Sequence, residues 1–220
     1  MAVAKAIQKA APDGRFYAVD STTIDLCMSL FYWAKFRNTK SGIKIHTQVD
    51  IVTEIPVFYR ITNANVHDVN AMDWLTYEPL ACYVFDRGYF DLIRLYQIDV
   101  FGAFFIIREK RHPAYEVVDG EDVLDGADNV LHDQTIVLTK KQNKAKYPGR
   151  IRRIVYYAPD LHLTFTYYTN NFYLAAKDIA LLYSCHHHIL PYRNHRTRPQ
   201  TWTSNHTSHA DTGQFLAHEG

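Results

Sequence analysis

The chain has only three cysteines, Cys27, Cys82 and Cys185, in 220 residues. They are too few and too scattered for a disulfide framework or a closed zinc site, so reduced, buried thiols are the expected state. No apolar run approaches the roughly 18 residues of a membrane span. The N-terminal stretch MAVAKAIQKAAPDG also lacks the apolar core of a signal peptide. These absences predict a soluble, cytoplasmic protein with no membrane partner. What is present is ample core material: 47% hydrophobic residues, including 12 Phe, 16 Tyr and 3 Trp, against 21% charged. That excludes a disordered tail and fits one domain, or one domain carrying an insertion.

The formal net charge of +1 hides a strong asymmetry. Lys140 to Arg153 holds seven basic residues and no acid, whereas Glu116 to Asp133 holds seven acids. Seven of the twelve histidines lie between His186 and His218.

From Arg15 the pattern predicts strands. FYAVDSTTIDL and GIKIHTQVDI alternate, IPVFYRITN follows a turn at Thr53-Glu54, and short connections imply an antiparallel meander. Asp68 to Leu75 reads as a helix capped by Asp68 and stopped near Pro79. ACYVFDRGYF opens as a strand buried on both faces, Asp91 caps a second helix over LIRLYQI, and GAFFIIRE is another buried strand. The order β-β-β-α-β-α-β predicts an α/β fold, a ribonuclease H-like mixed sheet with flanking helices. Residues 113–168 follow as a β-rich insertion with strand candidates TIVLT, RRIVYYA and LTFTYYT. TNNFYLAAKDIALLY then restores a helical period, with Ala175, Ile179, Leu182 and Tyr183 on one stripe. The expected layout is a short segment 1–14, a core over 15–112, the insertion, an incomplete last core helix over 169–190 and an aberrant tail over 191–220. The tail has too few apolar residues to offset ordering entropy and is expected to be irregular.

Asp20 follows the apolar FYAV and Asp86 the apolar YVF. A carboxylate at a buried strand end is costly unless something positive satisfies it, and a divalent metal is one candidate. The competing reading is local: Asp20 caps the turn Ser21-Thr22-Thr23, and Asp86 pairs with Arg87 or caps RGYFD.

VDSTTIDL, GIKIHTQVDI, ITNANVHD, FDRGYFD, FFIIREK and TNNFYLAAKDIALLY, in this order from about Arg15 to about Tyr183, resemble the catalytic core of insertion-sequence DDE transposases, the branch with a Tyr-Arg-Glu-Lys signature. The resemblance implies two Mg²⁺ ions, with Mn²⁺ as a substitute, and cleavage and strand transfer on DNA at transposon ends and target. It implies a bacterial protein, a homodimer in the intact family, and Asp20 and Asp86 as the first two catalytic acids and metal ligands. The signature reads Tyr, two residues, Arg, three residues, Glu, six residues, Lys. Counted from Tyr183, these positions fall on His186, Leu190 and Thr197, and none matches. A frameshift near codon 184 accounts for the simultaneous loss of resemblance and of core-like composition. The DNA-binding region that precedes the core in the family has about fourteen residues in its place.

Lys44, His46 and the pair His67-Asp68 match family positions near the metal site; they read equally as an exposed strand face and a helix cap. Lys140, Lys141, Lys144, Lys146, Arg150, Arg152 and Arg153 are candidate phosphate contacts, or a solvated hairpin loop. The run His186-His187-His188 cannot converge on one ion, because successive helical residues point about 100° apart. Tyr167, Tyr168 and Phe172 read as core aromatics before base-stacking ones. The expectation is a DDE-type transposase impaired by a missing third acid. The alternatives are a non-catalytic remnant that at most binds DNA, and a ribonuclease H-fold nuclease using Glu109.

Overall fold

The computed structural model describes residues 14–27, 29–30, 32–37, 40–110, 113–122 and 127–189. The tail 191–220, nearly all of segment 1–14, Leu190 and Thr197 lie outside the described residues.

β1 (Phe16–Leu26), β3 (Lys40–Asp50) and β4 (Pro56–Asn63) form the expected antiparallel meander, joined by a short β2 (Lys35–Arg37) that hairpins onto β3. The sequence pattern missed β2, which is three residues long. β5 (Cys82–Phe85) then pairs parallel with β1, and β6 (Phe104–Arg108) parallel with β5. The order β4-β3-β1-β5-β6, with β3 antiparallel to β1, is the ribonuclease H-like arrangement. β10 (Leu163–Thr169) pairs antiparallel with β6, and β9 (Ile151–Ala158), β8 (Val130–Leu138) and β7 (Tyr115–Asp122) extend the sheet beyond it. The β-rich segment therefore continues the core sheet.

Three α-helices are described: α1 (Leu92–Val100), α2 (Lys141–Lys146) and α3 (Ala176–Ile189). None is long and apolar enough to cross a membrane. Asp91 caps α1 by accepting from the Ile93 and Arg94 amides, both at 3.1 Å, satisfying two donors that a helix start leaves open. The segment Asp68–Trp74 is a 3₁₀ helix, and its cap position is His67. Seven residues suffice only for a short, tight helix, and the Asp68 carboxylate is used elsewhere.

The sheet is covered on both faces, as the unbroken apolar run of β5 requires. One face joins Tyr17, Val19, Tyr83, Phe85, Phe105, Ile107 and Tyr168 with Leu92, Leu95 and Ile98 of α1 and with Ala71 and Met72 of the 3₁₀ segment. The other joins Phe16, Ala18, Cys82, Val84, Ile106 and Tyr167 with Ile179, Ala180, Leu182 and Tyr183 of α3. Of the helical stripe read from the sequence, Ile179, Leu182 and Tyr183 are buried on α3, whereas Ala175 precedes the helix and is exposed.

Arg152 anchors the extended part of the sheet. It bonds both oxygens of Asp133 (2.8 and 2.7 Å) and donates to the Asn171 and Leu174 carbonyls at 3.1 and 2.6 Å. Removing the guanidinium leaves the Asp133 carboxylate, 31% exposed, and two carbonyls without their donor. Arg152→Leu is expected to lower unfolding free energy by about 3 kcal/mol, read as a fall in urea midpoint. A midpoint unchanged from wild type would show that the network contributes nothing net.

Candidate functional site

In the parallel ladder Val19 pairs with Phe85 and Phe85 with Ile107, so the next residues along the three strands are Asp20, Asp86 and Arg108. Side chains alternate between faces, and residues in parallel register share one. Tyr17, Val19, Phe85 and Ile107 face α1, so Asp20, Asp86 and Arg108 face α3 together with Ala18, Val84 and Ile106. Asp86 lies just past β5 but keeps extended backbone (φ −70°, ψ 161°), which carries the alternation through. Neighbouring strands are about 4.8 Å apart, so two carboxylates and a guanidinium stand in one row across the sheet. Asp20 is only 5% exposed.

α3 roofs this row. Its Tyr183 packs on Tyr167 of β10 at 4.7 Å between ring centroids and stacks with His186 at 5.8 Å. His186 Nε2 donates to the Val19 carbonyl at 3.0 Å, which joins the helix to β1 immediately before Asp20. Burial, and then the charge of Asp86, hold the Tyr183 phenol well above its usual acidity range; Asp20 adds to this and Arg108 opposes it. The phenol therefore feels all three members of the row. Arg108 also lies over the Phe165 ring at 4.6 Å.

The donor set is two hard carboxylates side by side, the kind of ligand that oxygen-seeking divalent cations take. Among the described residues no group of three or more His, Cys, Asp or Glu could hold a metal ion. Glu109 points the other way by strand alternation and accepts from Tyr168, a residue of the α1 face. It does not join the row.

Lys44 and His46 are also on the far face. Lys44 pairs in register with Thr23 and His46 with Ser21, whereas the neighbour of Asp20 is Thr47. Lys44 Nζ donates to the Val66 carbonyl (2.6 Å) and to Asp68 Oδ1 (2.8 Å). His46 is 1% exposed, with Nε2 on Thr62 Oγ1 at 3.0 Å and its ring edge-on to Trp74. Among the proposed phosphate contacts, Arg152 is committed inward, and Arg153 donates to Gln134 (3.0 Å) and lies over the Tyr115 ring. Lys140, Lys141, Lys144, Lys146 and Arg150 are exposed on and around α2. Tyr167 and Tyr168 are core residues, while Phe172 is 46% exposed.

Sequence reasoning missed Arg108 as a member of the row. The signal was there: it is the first polar residue after the apolar run FFII, the same place that Asp20 and Asp86 occupy after theirs.

Burial, followed by the charge of Lys44, pushes the His46 pKa below its ordinary 6.5; Arg60 adds to this and Asp68 opposes it. The unfolded chain therefore takes up a proton that the folded chain resists. The sign follows: stability is full above the unfolded value and is lost as pH falls through it. The urea midpoint is expected to drop between about pH 7.5 and about pH 5.5, and His46→Gln to flatten that slope. A slope unaltered by the substitution would assign it to other groups.

The family model "Transposase DDE domain" matches residues 11–189. A curated protein of Sinorhizobium fredii (strain NBRC 101917 / NGR234), carrying the name transposase y4zB, is 33% identical over 169 residues; these cover 75% of this chain and 46% of that protein. The chain thus spans about half the length of this relative. A solved piggyBac transposase synaptic complex with hairpin DNA aligns at 9% identity and a TM-score of 0.46, covering 80% of this chain and 38% of that one. Because the family match runs through nearly all of the described core, the chain belongs to the transposase DDE domain family.

Proposed function

We propose that the chain carries the catalytic core of a DDE transposase, whose chemistry is divalent-metal-dependent cleavage and strand transfer of DNA, and that the 220-residue form is impaired. The observation that carries this reading is the row of Asp20 and Asp86 at equal positions on adjacent parallel strands, on the face roofed by α3. Family membership implies a divalent metal; Mg²⁺, with Mn²⁺ as substitute, suits an all-oxygen set of carboxylates. When bound, such an ion lowers the pKa of a nucleophilic water or 3′-hydroxyl and offsets charge on the leaving oxygen.

The chain's own residues do the rest. Asp20 and Asp86 supply the two carboxylates that would hold the metal. Arg108, beside Asp86, offsets carboxylate repulsion and offers a fork that matches phosphate geometry. Tyr183 and His186 close the row from above and exclude bulk water. Lys140, Lys141, Lys144, Lys146 and Arg150 form an exposed basic patch fitted to track the DNA backbone in a salt-dependent way. The impairment follows from Leu190 at the Glu position of the signature, and a frameshift near codon 184 is the proposed origin of the altered end. A homodimer and a bacterial cytoplasmic location follow from the family resemblance.

The test is nicking of supercoiled plasmid by the 220-residue chain. Weak nicking that needs Mg²⁺ or Mn²⁺ and stops with a chelator supports the reading. Nicking that survives chelation would remove it.

A further inference from the structure

Strand pairing does not by itself fix the spacing of the two carboxylates. The β1–β5 ladder ends at Val19 and Phe85, one residue short of both Asp20 and Asp86. Beyond Val19, β1 continues to Leu26 paired only with β3. Asp20 therefore stands where two parallel strands part, and whatever holds the next residues of β1 sets where its carboxylate lies.

A polar knot on the opposite face does this. Ser21 Oγ donates to Asp68 Oδ1 at 2.6 Å, and Lys44 Nζ donates to the same oxygen at 2.8 Å and to the Val66 carbonyl at 2.6 Å. One carboxylate oxygen thus ties β1, β3 and the start of the 3₁₀ segment together. The Lys44 and Asp68 side chains are 11% and 17% exposed, so the pair is poorly screened by water. The 3₁₀ segment is in turn seated by Ala71 and Met72 in the same core cluster as Phe85 and Tyr89, the residues that bracket Asp86. The knot refers the parted stretch of β1 to the core that holds the end of β5.

We propose that Asp68, gripped by Ser21 and Lys44, is a positioning residue that sets the spacing of the Asp20 and Asp86 carboxylates and thereby the affinity for the divalent cation. This rests on the metal reading above. Displacements of about 1 Å are enough to cost a polar site much of its function, because ligand geometry is demanding.

The experiment uses the full chain and two readouts: Mn²⁺ titration followed by electron paramagnetic resonance, and amide hydrogen exchange of residues 20–24. Ser21→Ala removes one neutral donor and leaves the ion pair intact, so it is the variant expected to fold. It should weaken Mn²⁺ binding about three- to tenfold, the worth of one hydrogen bond read as affinity, and speed exchange over residues 20–24. Asp68→Asn should do the same or more, and Ser21→Thr, which keeps the hydroxyl, should restore wild-type values. Asp73→Asn is the comparison. It breaks the bidentate tie of the same 3₁₀ segment to Arg94 of α1 (2.7 and 2.6 Å), and should leave both readouts at wild type. Unchanged exchange in Ser21→Ala, or an equal effect of Asp73→Asn, overturns the proposal. If the wild-type chain binds no Mn²⁺ through Asp20, the metal reading fails, and the exchange readout still decides whether Asp68 fixes this stretch of β1.

Discussion

Asp20→Asn is expected to lower divalent-metal-dependent nicking by roughly 10³-fold, and Asp86→Asn by a similar factor, with little loss of fold. Outer-shell partners of a metal ligand are typically worth about 10- to 100-fold, so losing a charged ligand outright should exceed that range. Asparagine keeps the shape and an oxygen, which removes the charge while leaving the packing beneath α3 undisturbed. Thermal stability should hold or rise, because like charges in one row repel and a neutral amide relieves that repulsion. The double variant should fall scarcely below the singles, since ligands of one site act as a unit. The check is plasmid nicking in Mg²⁺ and in Mn²⁺ beside a melting curve. Either aspartate proving dispensable would end the assignment of this row as the active centre.

How far the sequence could carry this argument depends on which register each residue obeys. CYVF was readable as a strand buried on both faces because the pattern within four residues decides it, and the two core clusters take its alternate side chains. That Asp20 and Asp86 each end a buried strand was readable because each directly follows an apolar run, whereas the parallel β1–β5 register that brings the two strand ends level was not. Lys44 and His46 were set near that pair by the family resemblance, with an exposed strand face as the other reading, and the chain alone does not reveal the β1–β3 register that decides their side. A shift of one residue sends a side chain to the opposite face, and the observed register sets His46 against Ser21. Asp68 looked like a helix cap, a local role, whereas its partners Ser21 and Lys44 lie 47 and 24 residues away. Arg152 looked like one more cation in a basic run until the β8–β9 pairing brought Asp133 beside it. In each case a local pattern gave the residue's surroundings along the chain, and a distant partner decided its role. β4 is the limiting case. Its Val57, Tyr59 and Ile61 are apolar yet 53%, 71% and 55% exposed, and the strand pairs with β3 alone.

Leu190→Glu is expected to raise metal-dependent nicking by at least about 10²-fold. On the proposed reading the two aspartates would supply charged oxygens from the sheet only, so a cation there would be held from one side. In-line phosphoryl chemistry depends on rigidly held geometry, and a ligand acting on the reacting centre serves the transition state more than the ground state. α3 is the element from which a third oxygen would come, since Tyr183 feels both aspartates and His186 bonds the residue before Asp20. In the sequence, position 190 comes four residues after His186 and is the Glu position of the signature. Leu190→Gln is the control, since it brings the same length and an oxygen without the charge. It should leave nicking near the original level. If glutamine works as well as glutamate, the gain comes from polarity or packing, and if neither alters activity, the missing third carboxylate is not what holds this chain back. The same pair of variants separates an impaired enzyme from a DNA-binding remnant: only the former has a catalytic row that one carboxylate can complete.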